Sequence, residues 1–552
     1  MEPLSVSSRV ARHQQWLERV DAALHREGMA AAARLALEAL AEGIEDPVLL
    51  NLAASTHYGE GRFNEATKLL SRARELAPGD PHLLNSLGLC LKELGQSDAA
   101  LQAFEAALLL DPGMAAAHFN RGTLLEERDD VKAAKSAYER AAALDHDYAE
   151  PLAGLAWLDA QAGDALSARV HGERALAISP SNVLARMALA SASLQGKDLA
   201  GAGALLSVLI RDPALTALNR AIVLGLIGDL LDLKDRPAEA FAAYEVSNIE
   251  LRALNASRFE RPGEEPALEH VRRLIAWAEA TDRGQWREIP PAQQPAGGPR
   301  EHIFLVGFPR SGTTLLDNVL ASHREVVSLE EKDCLASASS VYLNSAEGLE
   351  RLARIDPVEA ARERDSYWDL VRSFGVEPSG RIFIDKLPLA SVQLPVIAKL
   401  FPNARVLFAL RDPRDVVLSC FRRRFAMNPS MYQLLTLDGA AAYYDAVMEL
   451  SALYRDVLPV PQHIVRYESL VEDFEGTVRA ACDFLGLEWD EGMFDFAAKA
   501  AARGIATPSA AQVARGLNRE GQGTWRRYHE QIAPVLPLLE PWVRRFGYEP
   551  IC

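Results

Sequence analysis

From Pro47 to Asn182 the small and apolar positions of the chain return to the same places every 34 residues. Residues 47–80, 81–114, 115–148 and 149–182 align without gaps. Position 8 of each block is small (Ala54, Gly88, Gly122, Ala156), position 20 is alanine (Ala66, Ala100, Ala134, Ala168), and so is position 27 (Ala73, Ala107, Ala141, Ala175). Position 32 is Pro78, Pro112, His146 and Pro180. Helix packing accounts for the pattern. Two antiparallel helices per block approach closely only where side chains are small, and larger residues such as Leu84, Leu87, Leu91 and Phe104 fill the spaces between them. Proline ends the second helix because it has no N–H with which to continue the hydrogen-bond ladder. A degenerate block (13–46) precedes the array, weaker blocks follow Val183, and residues 250–282 still read as helical, as a cap on the array.

Beyond this the pattern changes. Residues 283–300 are rich in proline and glycine and read as a linker. Short continuous apolar runs then alternate with helical stretches, at 302–307, 381–385, 405–410 and 463–467. Strands buried on both faces read as such runs, and their alternation with helices predicts an α/β domain with a parallel sheet. The expected organisation is an all-α helical repeat domain over 1–282, a linker over 283–300 and an α/β domain over 301–552. A chain of 552 residues exceeds one ordinary hydrophobic core, in keeping with this division.

Composition narrows the function. With 49% hydrophobic and 24% charged residues the chain is globular, and its formal net charge of −17 argues against a nucleic-acid partner. Any anionic ligand must therefore be held by a local basic site. The five cysteines (90, 334, 420, 482, 552) are odd in number, widely spaced and without a CxxC pair. That pattern predicts neither a disulfide framework nor a metal site, and points to a reducing, cytoplasmic location. The first residues lack an apolar signal core. The most apolar stretch, 218–233, is interrupted by Asn219, Arg220, Asp229 and Asp232, so no membrane span is expected.

The candidate chemistry starts where the first strand of the second half runs into Gly307-Phe-Pro-Arg-Ser-Gly-Thr-Thr-Leu315, followed by a helical pattern. The frame Gly-x4-Gly-Thr-Thr is that of a phosphate loop with Thr313 in place of the usual lysine. Backbone N–H groups of such a loop, with the N-terminus of the next helix, cradle an oxyanion. Arg310 and the hydroxyls of Ser311, Thr313 and Thr314 add donors. Nucleotide triphosphatases set that lysine and Mg²⁺ against the charge of the β,γ-phosphates. A sulfuryl group, with one negative charge, needs less neutralisation and no obligatory metal.

The repeats resemble the tetratricopeptide repeat family. Residues from about 303 to 525 resemble sulfotransferases, most closely the protein-tyrosine sulfotransferases and their bacterial repeat-bearing relatives. The resemblance implies an α/β P-loop-like parallel-sheet sulfotransferase domain preceded by an all-α tetratricopeptide-repeat solenoid, using 3′-phosphoadenosine-5′-phosphosulfate as co-substrate and no metal. It implies that Pro309, Arg310, Ser311, Gly312, Thr313, Thr314 and Leu315 hold the 5′-phosphosulfate. Arg411 and Ser419, in Leu410-Arg-Asp-Pro-Arg-Asp-Val-Val-Leu-Ser419, would hold the 3′-phosphate, a task that suits a guanidinium fork and a helix-start hydroxyl. Transfer to a hydroxyl needs a base. The resemblance assigns it to Glu331, the second of the pair Glu330–Glu331 after the strand-like 326–329, while Glu330 reads as a salt-bridge residue. Lys386, in Ile384-Asp-Lys-Leu-Pro388, would stabilise charge on the leaving oxygen, Tyr467 would lie near the 3′-phosphate, and Ser509 would enter the site from the loop 507–513. The family's phosphate-binding lysine before Trp525 is here Thr524, so either Arg515, Arg526 or Arg527 takes its place or the 3′-phosphate is bound less tightly. Arg414 reads as structural, Arg422–Arg424 as a solvated helix face or helix-end charges, and His323 as a packing or capping group. The acceptor is a peptide or protein, tyrosine first, or a small hydroxyl-bearing molecule, with the concave face of the repeats as its docking place or that of a partner. A homo-oligomer is compatible with all of this. The competing readings are a phosphate-loop nucleotide kinase or NTPase, and a non-catalytic repeat scaffold.

Overall fold

The structure is a computed structural model and describes residues 6–287, 297–503, 516, 517, 519 and 521–550. Ser509 and Arg515 lie outside the described residues, as does Asn518. The chain packs as two compact units. One runs to Ala160 and includes Leu166–Leu189; the other takes Gln161–Ala165 and everything from Ala190 onward.

In the first unit each 34-residue block is a helix pair: Pro47–Gly59 with Phe63–Leu76, Pro81–Glu93 with Ser97–Leu110, Ala115–Glu127 with Val131–Leu144, and Ala149–Ala162 with Ala165–Ile178. Asp46 and Asp80 cap the first two pairs, each accepting a backbone N–H at 2.8 Å just before a proline at the first helical position. All eight alanines at positions 20 and 27 are wholly buried. In the second and third blocks the glycine at position 8 faces the ring at position 24 of its own block. A Cβ on Gly88 would stand 2.5 Å from the Phe104 ring, and one on Gly122 2.7 Å from the Tyr138 ring. Where position 24 is Leu70 or Gly172, position 8 is Ala54 or Ala156.

The second unit opens with the end of the array. The frame continues at Ala190, Ala202 and Leu206, then resumes from Ala221 with Gly228, Ala240 and Tyr244. A Cβ on Gly228 would again lie 2.5 Å from the Tyr244 ring. This last repeat is the pair Ala217–Leu233 and Pro237–Phe259. The helix Ala267–Ala280, which reads as a cap in the sequence, instead buries Val271, Leu274 and Ile275 in the core that covers one face of the sheet. Trp286 is wholly buried in the same core.

The sheet has five strands, β1 (Glu301–Gly307), β2 (Val326–Glu330), β3 (Ile382–Lys386), β4 (Arg405–Leu410) and β5 (Gln462–Arg466), in the order β2-β3-β1-β4-β5, all parallel. Side chains alternate across it. Phe304, Val306, Phe383, Val406 and Phe408 enter one core with Trp368, Phe401 and Tyr444. Ile303, Leu305, Ile384, Leu407 and Val465 enter the other with Leu316, Val319 and Leu485. Burial on both faces is why the strands read as unbroken apolar runs. The chain is thus a tetratricopeptide-like helical solenoid followed by a parallel-sheet domain whose strands all end at one edge.

The Gly122–Tyr138 match predicts a stability cost. Tyr138 is 1% exposed, its hydroxyl donates to Glu126 at 2.6 Å, and a Cβ on Gly154 would also touch its ring, so the ring has no room to retreat. Alanine at 122 gains about 1 kcal/mol of helix propensity but overpacks at a cost of about 1–3 kcal/mol. Gly122→Ala should therefore lower the urea midpoint of the repeat transition, and adding Tyr138→Leu should recover part of the loss. A single variant more stable than wild type would contradict this packing rule.

Candidate active site

The parallel sheet gathers the candidate residues at the C-terminal edge of its strands, the usual place for ligand groups in open α/β sheets. β1 runs into the loop that ends at the helix Thr313–Leu320. Gly307 (φ 154°) lets the loop pass β4, since a Cβ there would stand 2.5 Å from the Ala409 carbonyl oxygen. Gly312, at φ 98°, is the N-cap of the helix, and a Cβ there would meet the Tyr467 ring at 2.8 Å. Ser311, Thr313, Thr314 and Leu315 are all buried at the start of this helix, and the Pro309 carbonyl accepts from the Cys420 thiol at 3.3 Å.

Two chain segments bring guanidinium groups to the loop. Arg310 Nε donates to Ser419 Oγ at 3.1 Å, and Arg411 donates to the Arg310 carbonyl at 2.9 Å. Arg411 also donates to the Gly521 carbonyl, lies 4.8 Å over the Tyr467 ring, and keeps a buried Nε that finds no hydrogen-bond partner among the described residues. Burial, then the charges of Arg423 and Arg411, pull the pKa of Arg310 down to about 9. A guanidinium stays protonated at neutral pH even so. The site therefore holds a cluster of like charges that an anion would relieve.

The opposite half of the edge carries the carboxylates. β2 and β3 pair Glu330 with Lys386, and the next residue, Glu331, donates its N–H to the Lys386 carbonyl at 2.8 Å. Lys386 has no exposed surface. Its Nζ is 2.7 Å from Glu331 Oε1 and 3.3 Å from Glu330 Oε1. Burial disfavours its charge, yet Glu331, Glu330 and Asp317 outweigh burial and hold its pKa above the ordinary lysine value. Among the described residues, the non-glycine residues with positive φ in this domain are Arg310 (70°) and Glu331 (50°), so the unusual backbone falls on two candidate site residues.

Other residues take places the sequence left open. His323 accepts from the Glu325 N–H at 3.1 Å and lies 3.2 Å from the Glu488 carbonyl, so both ring nitrogens are engaged in packing and capping. Arg414 is structural: it grips Asp412 with two nitrogens (2.9 and 2.7 Å) and lies 3.9 Å over the Trp525 ring. Arg527 turns to Asp232 and Asp235, each at 3.1 Å, and Arg526 reaches Glu549 at 3.5 Å. Of the two readings of Arg422–Arg424, the solvated face is corrected, while Arg422 does end the helix Pro413–Arg422. Arg422 is 12% exposed and paired with Asp232, and Arg424 donates to the Ile222 carbonyl at 3.1 Å. Arg423 stands 3.8 Å from Asp229 with its charge acting on Arg310, and periodicity alone does not single it out. Nor does it single out Asp317, which accepts from Ser328 beside Lys386.

Residues 302–491 match a family model described as Sulfotransferase family, and residues 81–114 match one described as Tetratricopeptide repeat. An uncharacterized protein of Aquifex aeolicus is 28% identical over 251 residues, 43% of this chain and 32% of its own length. Protein-tyrosine sulfotransferase 1 of Danio rerio is 26% identical over 263 residues, 45% of this chain and 72% of its own. Protein-tyrosine sulfotransferase A of Caenorhabditis elegans is 24% identical over 257 residues, 45% of this chain and 67% of its own. The chain therefore spans about a third of the Aquifex protein's length and more of the two animal enzymes. These matches bear out the resemblance read from the residues: a sulfotransferase domain carried behind tetratricopeptide-like repeats. No helix among the described residues is long and apolar enough to cross a membrane.

One buried chain of hydrogen bonds runs beside Lys386. Tyr367 donates to Asp385 at 2.6 Å, and His302 Nε2 lies 2.9 Å from the Tyr367 hydroxyl. Burial raises Asp385 to about 7 and lowers His302 to about 3. An acid whose folded pKa is raised contributes stability that is full below its ordinary value and is lost as pH rises through about 7. The histidine acts in the opposite sense, its contribution being lost only as pH falls from about 6.5 through about 3. Between pH 6 and 8 the Asp385 effect should dominate this group. Thermal melts should show wild type losing stability across that window and Asp385→Asn losing less; parallel slopes would exclude Asp385 as the titrating group.

Proposed function

We propose that this protein transfers a sulfuryl group from 3′-phosphoadenosine-5′-phosphosulfate to a hydroxyl acceptor, with a tyrosyl side chain of a peptide or protein as the first candidate. The observation that carries this reading is the juxtaposition at one sheet edge of an anion loop lacking the triphosphatase lysine and a Lys386–Glu331 pair. The loop has guanidiniums on it from Arg310 and Arg411, with Arg423 near enough to act on Arg310. The named animal relatives supply the preference for tyrosine.

In this reading the residues from Pro309 to Leu315 hold the 5′-phosphosulfate with backbone N–H groups, hydroxyls and Arg310. Arg411 and Ser419, with Tyr467 packed beneath the Arg411 guanidinium, hold the 3′-phosphate, and Arg423 adds a further positive charge. Glu331 accepts the acceptor's proton as the acceptor oxygen bonds to sulfur. The bridging S–O bond breaks, its electron pair stays on the phosphate oxygen of adenosine 3′,5′-bisphosphate, and Lys386 stabilises that charge. The resemblance assigns Ser509 to the site, and Arg515 is a candidate to replace the family lysine that is Thr524 here. The chemistry needs no metal, since the sulfuryl group carries a single negative charge. The repeats supply a docking surface for the acceptor or a partner.

Titration with adenosine 3′,5′-bisphosphate and transfer of labelled sulfate test the assignment together. Arg310→Ala should weaken binding roughly ten-fold or more, as loss of a charge-assisted contact does. Glu331→Gln should bind normally and lose transfer by about 10²–10⁴-fold. Turnover should survive EDTA, which a Mg²⁺-dependent kinase would not. Full activity in Glu331→Gln would remove Glu331 as the base.

A further inference from the structure

The last repeat and the donor site share one carboxylate. Asp232, at the end of the helix Ala217–Leu233, is 15% exposed. Its carboxylate pairs with Arg422 through one oxygen. The other accepts from the Tyr528 hydroxyl at 2.7 Å and lies 3.1 Å from Arg527, while its carbonyl accepts from Arg527 at 2.9 Å. Arg422 lies between two rings, 5.2 Å from the centre of Tyr244 and 4.9 Å from that of Tyr528.

These partners end the two segments that shape the Arg411 pocket. Arg422 closes the helix Pro413–Arg422, which carries Ser419 and follows directly on Arg411. Around it Phe421 stacks on Phe241 at 4.9 Å, the Phe421 carbonyl accepts from Asn248 at 2.8 Å, and Arg424 donates to the Ile222 carbonyl. Phe421, Arg422 and Arg424 are thus all fixed to the last repeat, and Arg423 between them keeps its charge near Arg310. Arg527 and Tyr528 end the segment whose Gly521 carbonyl accepts from Arg411 and whose Gly523 and Trp525 N–H groups donate to Asp415 at 2.7 and 2.9 Å.

We propose that Asp232 of the last repeat is a positioning residue for donor binding, tying both walls of the Arg411 pocket so that Arg411, Ser419 and Arg423 converge on the anion. The last repeat is then a working part of the transferase rather than only a module for partners. The proposal rests on reading the site as a donor-nucleotide site. Losing the carboxylate strands Arg422, a mostly buried cation, which must rearrange to regain a partner. The disturbance is transmitted to the pocket through the helix that Arg422 ends.

The test uses the full chain and adenosine 3′,5′-bisphosphate, measured by calorimetry on variants whose circular dichroism is native. Asp232→Asn should weaken binding by roughly ten-fold and raise the donor KM in proportion, with kcat at saturating donor and the acceptor KM within about two-fold of wild type. Arg422→Gln should do the same, and the double variant should be no weaker than the weaker single, because both break one linkage. Glu75→Gln, whose partner Arg72 lies with it in the first 34-residue block, should change nothing. If Asp232→Asn does not fold, Tyr528→Phe keeps the ring, removes one bond to Asp232 and should still weaken binding about three-fold. Binding unchanged in Asp232→Asn, or in Tyr528→Phe if that variant is needed, while Arg411→Ala loses it, would overturn the positioning role and leave the donor site standing. No binding by wild type would overturn both.

Discussion

Three guanidinium groups brought to the mouth of a parallel sheet repel one another, and the fold must supply the force that keeps them there. Each is held differently. Arg310 sits on a left-handed backbone turn and is pinned to Ser419. Arg411 is held by two carbonyls and the face of Tyr467. Arg423 is placed by its sequence neighbours, which are locked into the last helical repeat. The restraints on Arg411 are carbonyls and a ring, and Arg423 stands 3.8 Å from the carboxylate of Asp229. The positive potential is thereby kept for a ligand, at the expense of some stability in its absence.

The same logic, with the sign reversed, applies across the edge. Lys386 has no exposed surface and is surrounded by Glu330, Glu331 and Asp317, so here opposite charges are brought together rather than kept apart. An acid–base pair held this close couples the two groups: whatever draws the ammonium away from Glu331 frees the carboxylate to take a proton. The sheet register sets this meeting, because Glu330 pairs directly with Lys386. A one-residue slip of β2 would turn the glutamate's side chain to the other face.

Much of this was legible in the sequence, because the rules involved are periodic. Alanines at fixed positions announced the helix pairs, and unbroken apolar runs announced strands buried on both faces. The glycine frame placed the loop after the first of them. Arg310, Glu331, Lys386, Arg411 and Tyr467 come to the edge of one sheet because each follows or ends a strand or opens the next helix, whereas Ser419, read as a helix-start hydroxyl, lies in the last turns of the helix Pro413–Arg422 and reaches Arg310 from there. What stayed hidden depends on contacts between distant segments. Arg422, Arg423 and Arg424 form a charge run that ordinarily faces water, and only the aspartates, a carbonyl and the rings of the last repeat turn it inward. That repeat was itself obscured because its frame restarts at Ala221, out of step with the blocks before it. Asp385 and His302 look like ordinary strand residues until Tyr367, from a helix, bridges them.

The pairing of a glycine with the ring that fills its space has a further consequence for how such an array changes over generations. The pairs Gly88–Phe104, Gly122–Tyr138 and Gly228–Tyr244 each lie within one repeat, so a crossover between the two helices of such a repeat would part a ring from its glycine. Tyr138 also fills the space over Gly154 of the next block, so that boundary is tied in the same way. Recombination in this gene should accordingly be purged wherever it separates a ring from the glycine it covers.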